Sequence, residues 1–371
     1  MCQEAGLVKL GHVALDGTKI QANASKHKAM SYKRMLKKEL ELTQEIDALL
    51  SRAAELDATE DARFGEGQRE EDLPKELHRR ETRLAKIRAA KTRLEAEAKT
   101  ARARHLREQA ETARKRSKEH PDPTERKRAA TMAKKKGAEA EKLAPGADDD
   151  DLDPPATSDG LDLHEPRTET DGSPHPSSQM NFTDPDSRIM ESGGRFLQAY
   201  NCQAAVDEEH QVIVGQSLSN LAPDNANLIP MLALVETKCG ALPATTTADA
   251  GYWRPTVLEA CDQMGTDVYV STRRRKSEVK EQDLKPAPPI GGPTPRETMA
   301  AKLQTEEGRA KYARRKAVVE PVFGQIKEAR GFRRFLLRGL ESAQAEWAMV
   351  CTTHNLLKLY RFSNRQAAMA V

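Results

Sequence analysis

A heptad seam takes over this chain almost as soon as it begins. From about Ala29 the apolar residues Met35, Leu42, Ile46, Leu49, Ala53 and Leu56 are spaced 7, 4, 3, 4 and 3 apart on a background of Lys, Arg and Glu. That is the pattern of a helix burying one narrow stripe against a partner. Phe64-Gly65-Glu66-Gly67 interrupts it, and Asp72-Leu73-Pro74 offers an N-cap and a first-turn proline for a second helix. The second seam runs Leu77, Leu84, Ile87, Leu94, Ala98 and Ala101. The two helices predict an antiparallel coiled-coil hairpin over residues 29–119. Its plainest use is as a spacer arm; a sharper one is dimerisation or tracking along DNA.

Such a hairpin holds little core, so the core must lie elsewhere in the 371 residues. Hydrophobic residues make up 37% and charged residues 32%, which excludes a uniformly packed globule. Residues 120–186 hold 9 of the 20 prolines and the run Asp148–Asp151. We expect residues 120–180 to be a disordered Pro/Asp-rich linker, because such a stretch buries too little apolar surface to offset chain entropy. The runs Arg126-Lys127-Arg128 and Lys134-Lys135-Lys136 read as solvated faces or phosphate contacts. The net charge of +3 excludes a polycation but not a local basic surface. Five scattered cysteines without a C-x-x-C pair argue against zinc and disulfide frameworks. With no signal peptide and no apolar run long enough to span a bilayer, a cytoplasmic protein without a membrane partner is expected.

The flanks carry the strands. Residues 7–24 suggest a strand, an Asp16-Gly17 hairpin turn and a second strand. Residues 196–207 and 211–218 are two more, joined by Glu208-Glu209-His210. A helix over 224–238, a strand ending at Asp249, a helix over 255–264 and a strand over 267–272 follow. Residues 286–295 read as a loop, 296–330 as helix with an obstacle at Pro321, and 341–361 as a last helix. Without residues 29–180, this is an α/β order giving a mixed sheet flanked by helices. The catalytic domain would comprise residues 1–28 and 181–371, with the hairpin and linker inserted.

Three acids stand out. Asp16 and Asp249 sit at strand ends, and Glu320 lies in the apolar run Val318-Val319-Glu320-Pro321-Val322-Phe323. Acids in apolar settings are costly unless paired or bound to a cation. Three carboxylates without a His or Cys cluster suit hard ions, Mg²⁺ or Mn²⁺, and two such ions can serve both the attacking and the leaving oxygen of a phosphodiester. Arg273-Arg274-Arg275-Lys276, Lys327, Arg330, Arg333, Arg334 and Arg338 fit a polyanionic substrate. Asp224 reads as a helix N-cap, Asp184-Pro185-Asp186 as a turn, His354-Asn355 as core hydrogen-bonding residues, and Cys202 and Cys351 as small buried residues.

Six blocks in order make the chain recognisable: Asp16–Ile20, Asn181–Arg188, Ala248–Tyr252, Arg315–Lys327, Gly331–Phe335 and His354–Leu356. Over residues 7–28 and 181–361 it resembles the DDE transposases of bacterial insertion sequences, in the insertion-sequence-four-like branch with an RNase H-like catalytic domain. The resemblance implies that Asp16, Asp249 and Glu320 are catalytic and hold two divalent ions, Mg²⁺ or Mn²⁺. Water would nick DNA at the element end and the freed 3′-hydroxyl would attack target DNA. The family's Tyr, Arg, Glu and Lys signature falls on Tyr312, Arg315 (or Lys316, given the spacing to Glu320), Glu320 and Lys327. Arg330, Arg333 and Arg334 would hold DNA, Tyr252 and Trp253 could stack on an unpaired base, and a homodimer is compatible.

Pro321 predicts either a kinked helix or a new helix start, since it lacks an N–H and disfavours helical geometry at Glu320. The family's helical DNA-binding region precedes the first Asp. This chain is expected to lack it, leaving either chemistry without specific end recognition or an inactive remnant. Two alternatives stay open: a non-enzymatic DNA-binding or interaction protein using the arm and basic runs, and an RNase H-type nuclease that cuts without strand transfer.

Overall fold

The computed structural model describes residues 1–64, 73–147, 153–272 and 294–369. Along the chain run β1 (His12–Gln21), β2 (Ala29–Ser31), α1 (Tyr32–Phe64), α2 (Leu73–Glu119), α3 (Pro123–Leu143), β3 (Gln179–Asn181), β4 (Arg188–Ser192), β5 (Arg195–Asp207), β6 (Ile213–Ser219), α4 (Leu228–Cys239), β7 (Thr245–Ala248), α5 (Pro255–Met264), β8 (Asp267–Val270), α6 (Pro295–Gln304), α7 (Glu306–Gly324) and α8 (Leu340–Met369). The Asp148–Asp151 run, the Arg273–Lys276 run and all of the 286–295 loop but its last two residues lie outside the described residues. The chain forms two units: Met1–Ala24, Ala156–His164 and Asp186–Val371 make the first, Ser25–Pro155 and Glu165–Pro185 the second.

The first unit is a mixed sheet between helical layers. β6, β5 and β1 are antiparallel neighbours, and β7 and β8 continue from β1 in parallel. With β4 also antiparallel to β5, this six-stranded order of antiparallel strands followed by two parallel ones is consistent with an RNase H-like arrangement. Alternation along β1 gives each face its own core. Val13 and Leu15 join Leu228, Met231, Leu232 and Val235 of α4 with Val257 and Cys261 of α5. Ala14 and Ile20 join Val318, Val319 and Val322 of α7 with Trp347 and Cys351 of α8. Each fully buried aliphatic side chain contributes roughly 1.5–3 kcal/mol of apolar transfer. Trp347 is buried with its indole N–H donating to the Gln203 carbonyl at 3.2 Å.

Two local expectations are corrected. Asp16-Gly17 makes no hairpin turn: β1 runs unbroken through both residues and pairs with β5 from Val13 to Gln21. Asp-Gly can form a tight turn, but here the long partner strand β5 captures the backbone bonds on both sides of it. Residues 156–164 belong to the first unit rather than to a linker. Leu161 is buried in its core, and Ser217 and Ser219 donate to the Asp159 carboxylate and the Asp162 carbonyl.

Pro321 lies inside α7. A proline strips the carbonyl four residues back of its helical donor. That carbonyl is Ala317's, and it accepts instead from the Gln211 side-chain amide at 3.1 Å. After Gly324 the helix widens into a π-helical turn, Gln325–Ala329. Gln211 itself has φ 55°, and its backbone carbonyl accepts from His354 Nε2 at 2.9 Å. Asn355 brackets the β6 backbone: its side chain accepts from Ile213 N at 2.9 Å and donates to Ile213 O at 2.8 Å.

The second unit is helical, closed by a short ladder in which β2 pairs antiparallel with β3. Met35, Leu42 and Ile46 of α1 are buried with Leu84, Ile87 and Leu94 of α2. The antiparallel register shows in cross-helix bonds: Tyr32 to Glu95, Glu39 to Arg88 and Lys91, Glu45 to Arg80. Residues 123–143, expected to be disordered, are the helix α3. Asp122 caps it, accepting from Thr124 N, and Pro123 occupies its first turn. Ala129, Ala133 and Ala140 are buried, as are Ala103, Leu106 and Ala110 of α2. Small residues allow close helix approach, so little apolar area per residue suffices. The prolines counted over the whole stretch flank this helix rather than interrupt it.

Among the described residues no helix is long and apolar enough to cross a membrane. All five cysteines are free, with Cys202 and Cys351 buried.

Burial lowers the pKa of His354 from the usual 6.5 to about 4, opposed by its bond to the Gln211 carbonyl. The neutral ring is the one that folds. Its stabilising contribution is complete above pH 6.5 and is lost as pH falls towards 4, on the order of 2 kcal/mol. Urea unfolding across that window should show wild type losing more stability than His354→Gln; parallel losses would refute this.

Candidate active site

The parallel register of β1 and β7 builds the site. Leu15 lies opposite Ala248, so the next residues, Asp16 and Asp249, sit side by side where β7 ends. Adjacent strands are about 4.8 Å apart. Asp249 turns its carboxylate onto the following 3-10 turn, accepting from Gly251 N at 2.7 Å. Asp16 accepts from Gly17 N at 2.8 Å and from Arg315 Nη1 at 2.9 Å. Burial pushes the Asp16 carboxyl up to about 6, the Arg315 charge opposes this, and the Asp249 charge adds to it.

Arg315 comes from α7, which packs on the same face of β1. It is buried, and its Nε has no hydrogen-bond partner among the described residues, so a donor is left over beside the acids. Burial is the largest single influence on the Arg315 pKa and lowers it, but the Asp16, Tyr312 and Asp249 charges together carry the net direction upward. Of the two cations open for the family's Arg position, Arg315 bonds Asp16, whereas Lys316 is exposed.

The third expected acid is not brought onto this pair. The buried α7 positions 315, 318, 319 and 322 occupy one arc of the helix, and Glu320 lies about 150° from its centre. Glu320 is exposed; its apolar sequence neighbours turn inward while it turns out. Among the described residues no three His, Cys, Asp or Glu side chains form a group that could hold a metal ion.

Asp224 stands near the pair, and the sequence reading missed its role. It does not cap α4, whose N-cap residue is Asn227. Its carboxylate accepts from Lys19 Nζ at 3.1 Å, Asn201 Nδ2 at 2.7 Å and Gln203 Nε2 at 2.8 Å. Gln203 in turn accepts from the Tyr252 hydroxyl. Tyr252 is fully buried, so it is no stacking surface for a base. Burial pushes its hydroxyl pKa well up, and the charges of Asp224, Asp16 and Asp249 add to that. Trp253 is half-buried against the α4 and α5 core. A usable signal was present: Asn201 and Gln203 are polar residues alternating within a strand of otherwise apolar, fully buried neighbours.

The remaining expected cations lie along the same unit. Tyr312 is half-buried on α7. Lys327, in the π-helical turn, donates to the Lys19 carbonyl at 3.3 Å, and burial lowers its pKa. Arg330 donates to Thr353 Oγ1 at 3.2 Å, Arg333 pairs with Glu328, and Arg334 donates to Asn23 Oδ1 at 2.7 Å.

The donor set fits a hard divalent cation at the Asp16–Asp249 pair. Two carboxylates side by side, one raised by burial and by its neighbour's charge, are relieved by a cation and offer only oxygen ligands.

Residues 291–360 match the family model described as "Transposase DDE domain". The match supports a DDE transposase. It takes in Arg315, Glu320 and Lys327, while Asp16 and Asp249 lie before it. A comparison with curated proteins finds no match.

Gly17 is required by close approach. A Cβ there would stand 2.5 Å from Gln203 Nε2 and 2.7 Å from Asp224 Oδ1. Gly17→Ala should therefore cost about 1–3 kcal/mol in chemical denaturation. Gly11→Ala, where nothing lies within 4 Å of the new atom, should be nearly neutral. Equal effects at the two positions would refute the argument.

Proposed function

We propose that this protein is a transposase that nicks DNA at insertion-sequence ends and transfers the freed 3′ end to target DNA, with a divalent ion held by Asp16 and Asp249. One observation carries the reading: the β1–β7 register sets two carboxylates beside each other on neighbouring central strands, where β7 ends, in a sheet of RNase H-like order. The Transposase DDE domain match supports it independently.

Mg²⁺ or Mn²⁺ bound there supplies Lewis-acid chemistry, lowering the pKa of an attacking water and neutralising charge on the leaving oxygen. The chain's own residues do the rest. Asp16 and Asp249 would hold the cation. Arg315 orients the Asp16 carboxylate through its Nη1. Asp224 is a positioning residue, because Lys19, Asn201 and Gln203 already satisfy it and it fixes the wall behind Gly17 and Gly251. Glu320, exposed and turned away from the pair, is not counted among the groups that would hold the ion. Lys316, Lys327, Arg330, Arg333 and Arg334, with Tyr312, are proposed to face the DNA backbone.

The test is Mg²⁺- or Mn²⁺-dependent nicking of supercoiled and element-end DNA. Asp16→Asn and Asp249→Asn should each lower the rate by about 10²-fold or more, the size expected for losing a preorganised charge stabiliser, and Glu320→Gln should lower it much less. Mn²⁺ should raise the thermal midpoint of wild type but not of Asp16→Asn. Indifference of nicking to Asp16 and Asp249 would leave a DNA binder rather than an enzyme. An equal loss in Glu320→Gln would overturn the assignment of the ion to the two Asp residues alone.

A further inference from the structure

The second unit contains a basic groove that the proposed chemistry does not use. It has a volume of about 830 Å³ and lies between the turn before β2, the start of α1 and the first turns of α2. Among the described residues its lining includes the cations Lys28, Arg34, Lys75, Arg79, Arg83 and Lys86, and no Asp or Glu. All six are exposed. Ile87 and Phe182 add apolar surface.

What marks the groove is how α2 divides its charges. On the side towards α1, Arg80 pairs with Glu45, and Arg88 and Lys91 pair with Glu39. The groove side carries Lys75, Arg79, Arg83 and Lys86 in a row. Among the described residues none of these has an ion pair. Successive members stand about one helical turn apart, roughly 6 Å at four residues. Like charges so arranged repel one another in the free protein. They become favourable once a regular polyanion lies along them, releasing its counterions.

We propose that this groove binds the sugar-phosphate backbone of duplex DNA, without reading base sequence. A long, straight row of cations with little hydrogen-bond specificity suits a repeating phosphate chain better than a single compact anion. The proposal deepens the transposase reading and rests on it for the choice of DNA. It assigns the helical insert a grip on DNA apart from the carboxylate site.

The test uses the full chain and a fluorescent DNA duplex in EDTA, so that no catalysis is needed. Binding is followed from about 0.05 to 0.2 M salt. Arg79→Gln/Arg83→Gln/Lys86→Gln should weaken binding about 10-fold or more and make the slope of log affinity against log salt shallower by about 2–3. A control with equal charge loss on α3, Lys127→Gln/Lys134→Gln/Lys135→Gln, should change both much less. Equal effects of the two variants would mean general charge alone and overturn the groove, as would unchanged binding by the first. An RNA duplex bound more than about tenfold tighter than DNA, through the same three residues, would overturn the choice of DNA. If nicking is never seen while the groove variant still loses binding, the enzymatic reading fails and the groove stands; the converse removes the groove alone.

Discussion

Everything at the candidate site depends on one pairing, the parallel ladder between β1 and β7. Its register sets Leu15 against Ala248. A slip of one residue would turn Asp16 to the opposite face and separate it from Asp249. The ladder is held by what packs on both its faces: Val13 and Leu15 against one helical layer, Ala14 and Ile20 against the other. The two layers therefore specify the register, and through it the distance between two charges that repel.

Behind the pair stands a polar network that would be a liability if incomplete. Asp224, Gln203, Asn201, Lys19 and the Tyr252 hydroxyl satisfy one another. Buried polar groups of this kind fix one geometry when every member is bonded, and are worse than apolar packing otherwise. Gly17 lets the network approach the backbone: a Cβ there would stand 2.5 Å from Gln203 Nε2 and 2.7 Å from Asp224 Oδ1. The same network explains why Asp224 is not simply a third metal ligand. Its charge is already balanced by Lys19, whereas Asp16 shares a single guanidinium against two acids.

The sequence made some of this legible and hid the rest for a physical reason. Strands β5, β6, β7 and β8 and helices α4, α5 and α8 announce themselves by local periodicity, and so does the seam of Met35, Leu42, Leu84 and Ile87. Asp16 and Asp249 drew notice from their local sequence context and Arg315 only through the family resemblance; in the structure Asp16 lies within β1 rather than at its end. Gly17 was misread because its neighbours in space, Gln203 and Asp224, are far away in sequence. Asp224 was misread because its position before α4 resembles a cap, while its real partners come from β1 and β5. The helix α3 was missed because a proline count averages over a stretch in which prolines flank the helix. Pro321 looked like a break because nothing local supplies Ala317 with a donor; Gln211, from the β5–β6 turn, does.

The insert raises a topological question that its own structure answers. Closing a flexible loop of some 150 residues costs roughly 4–5 kcal/mol, and a sheet with β1 on one side of the insert and β5 on the other would have to bear it. The second unit closes the loop internally. Ala29 pairs with Asn181, Phe182 N donates to the Lys28 carbonyl, and the Asn181 side chain donates to the Ser25 carbonyl at 2.8 Å. Entry and exit are thus held together within the insert, so the chain resumes near where it left. The β1–β5 ladder then behaves as though it joined nearby segments, with nine paired positions from Val13 to Gln21. A helical unit of this size can grow within such a clamp without changing the register on which Asp16 depends.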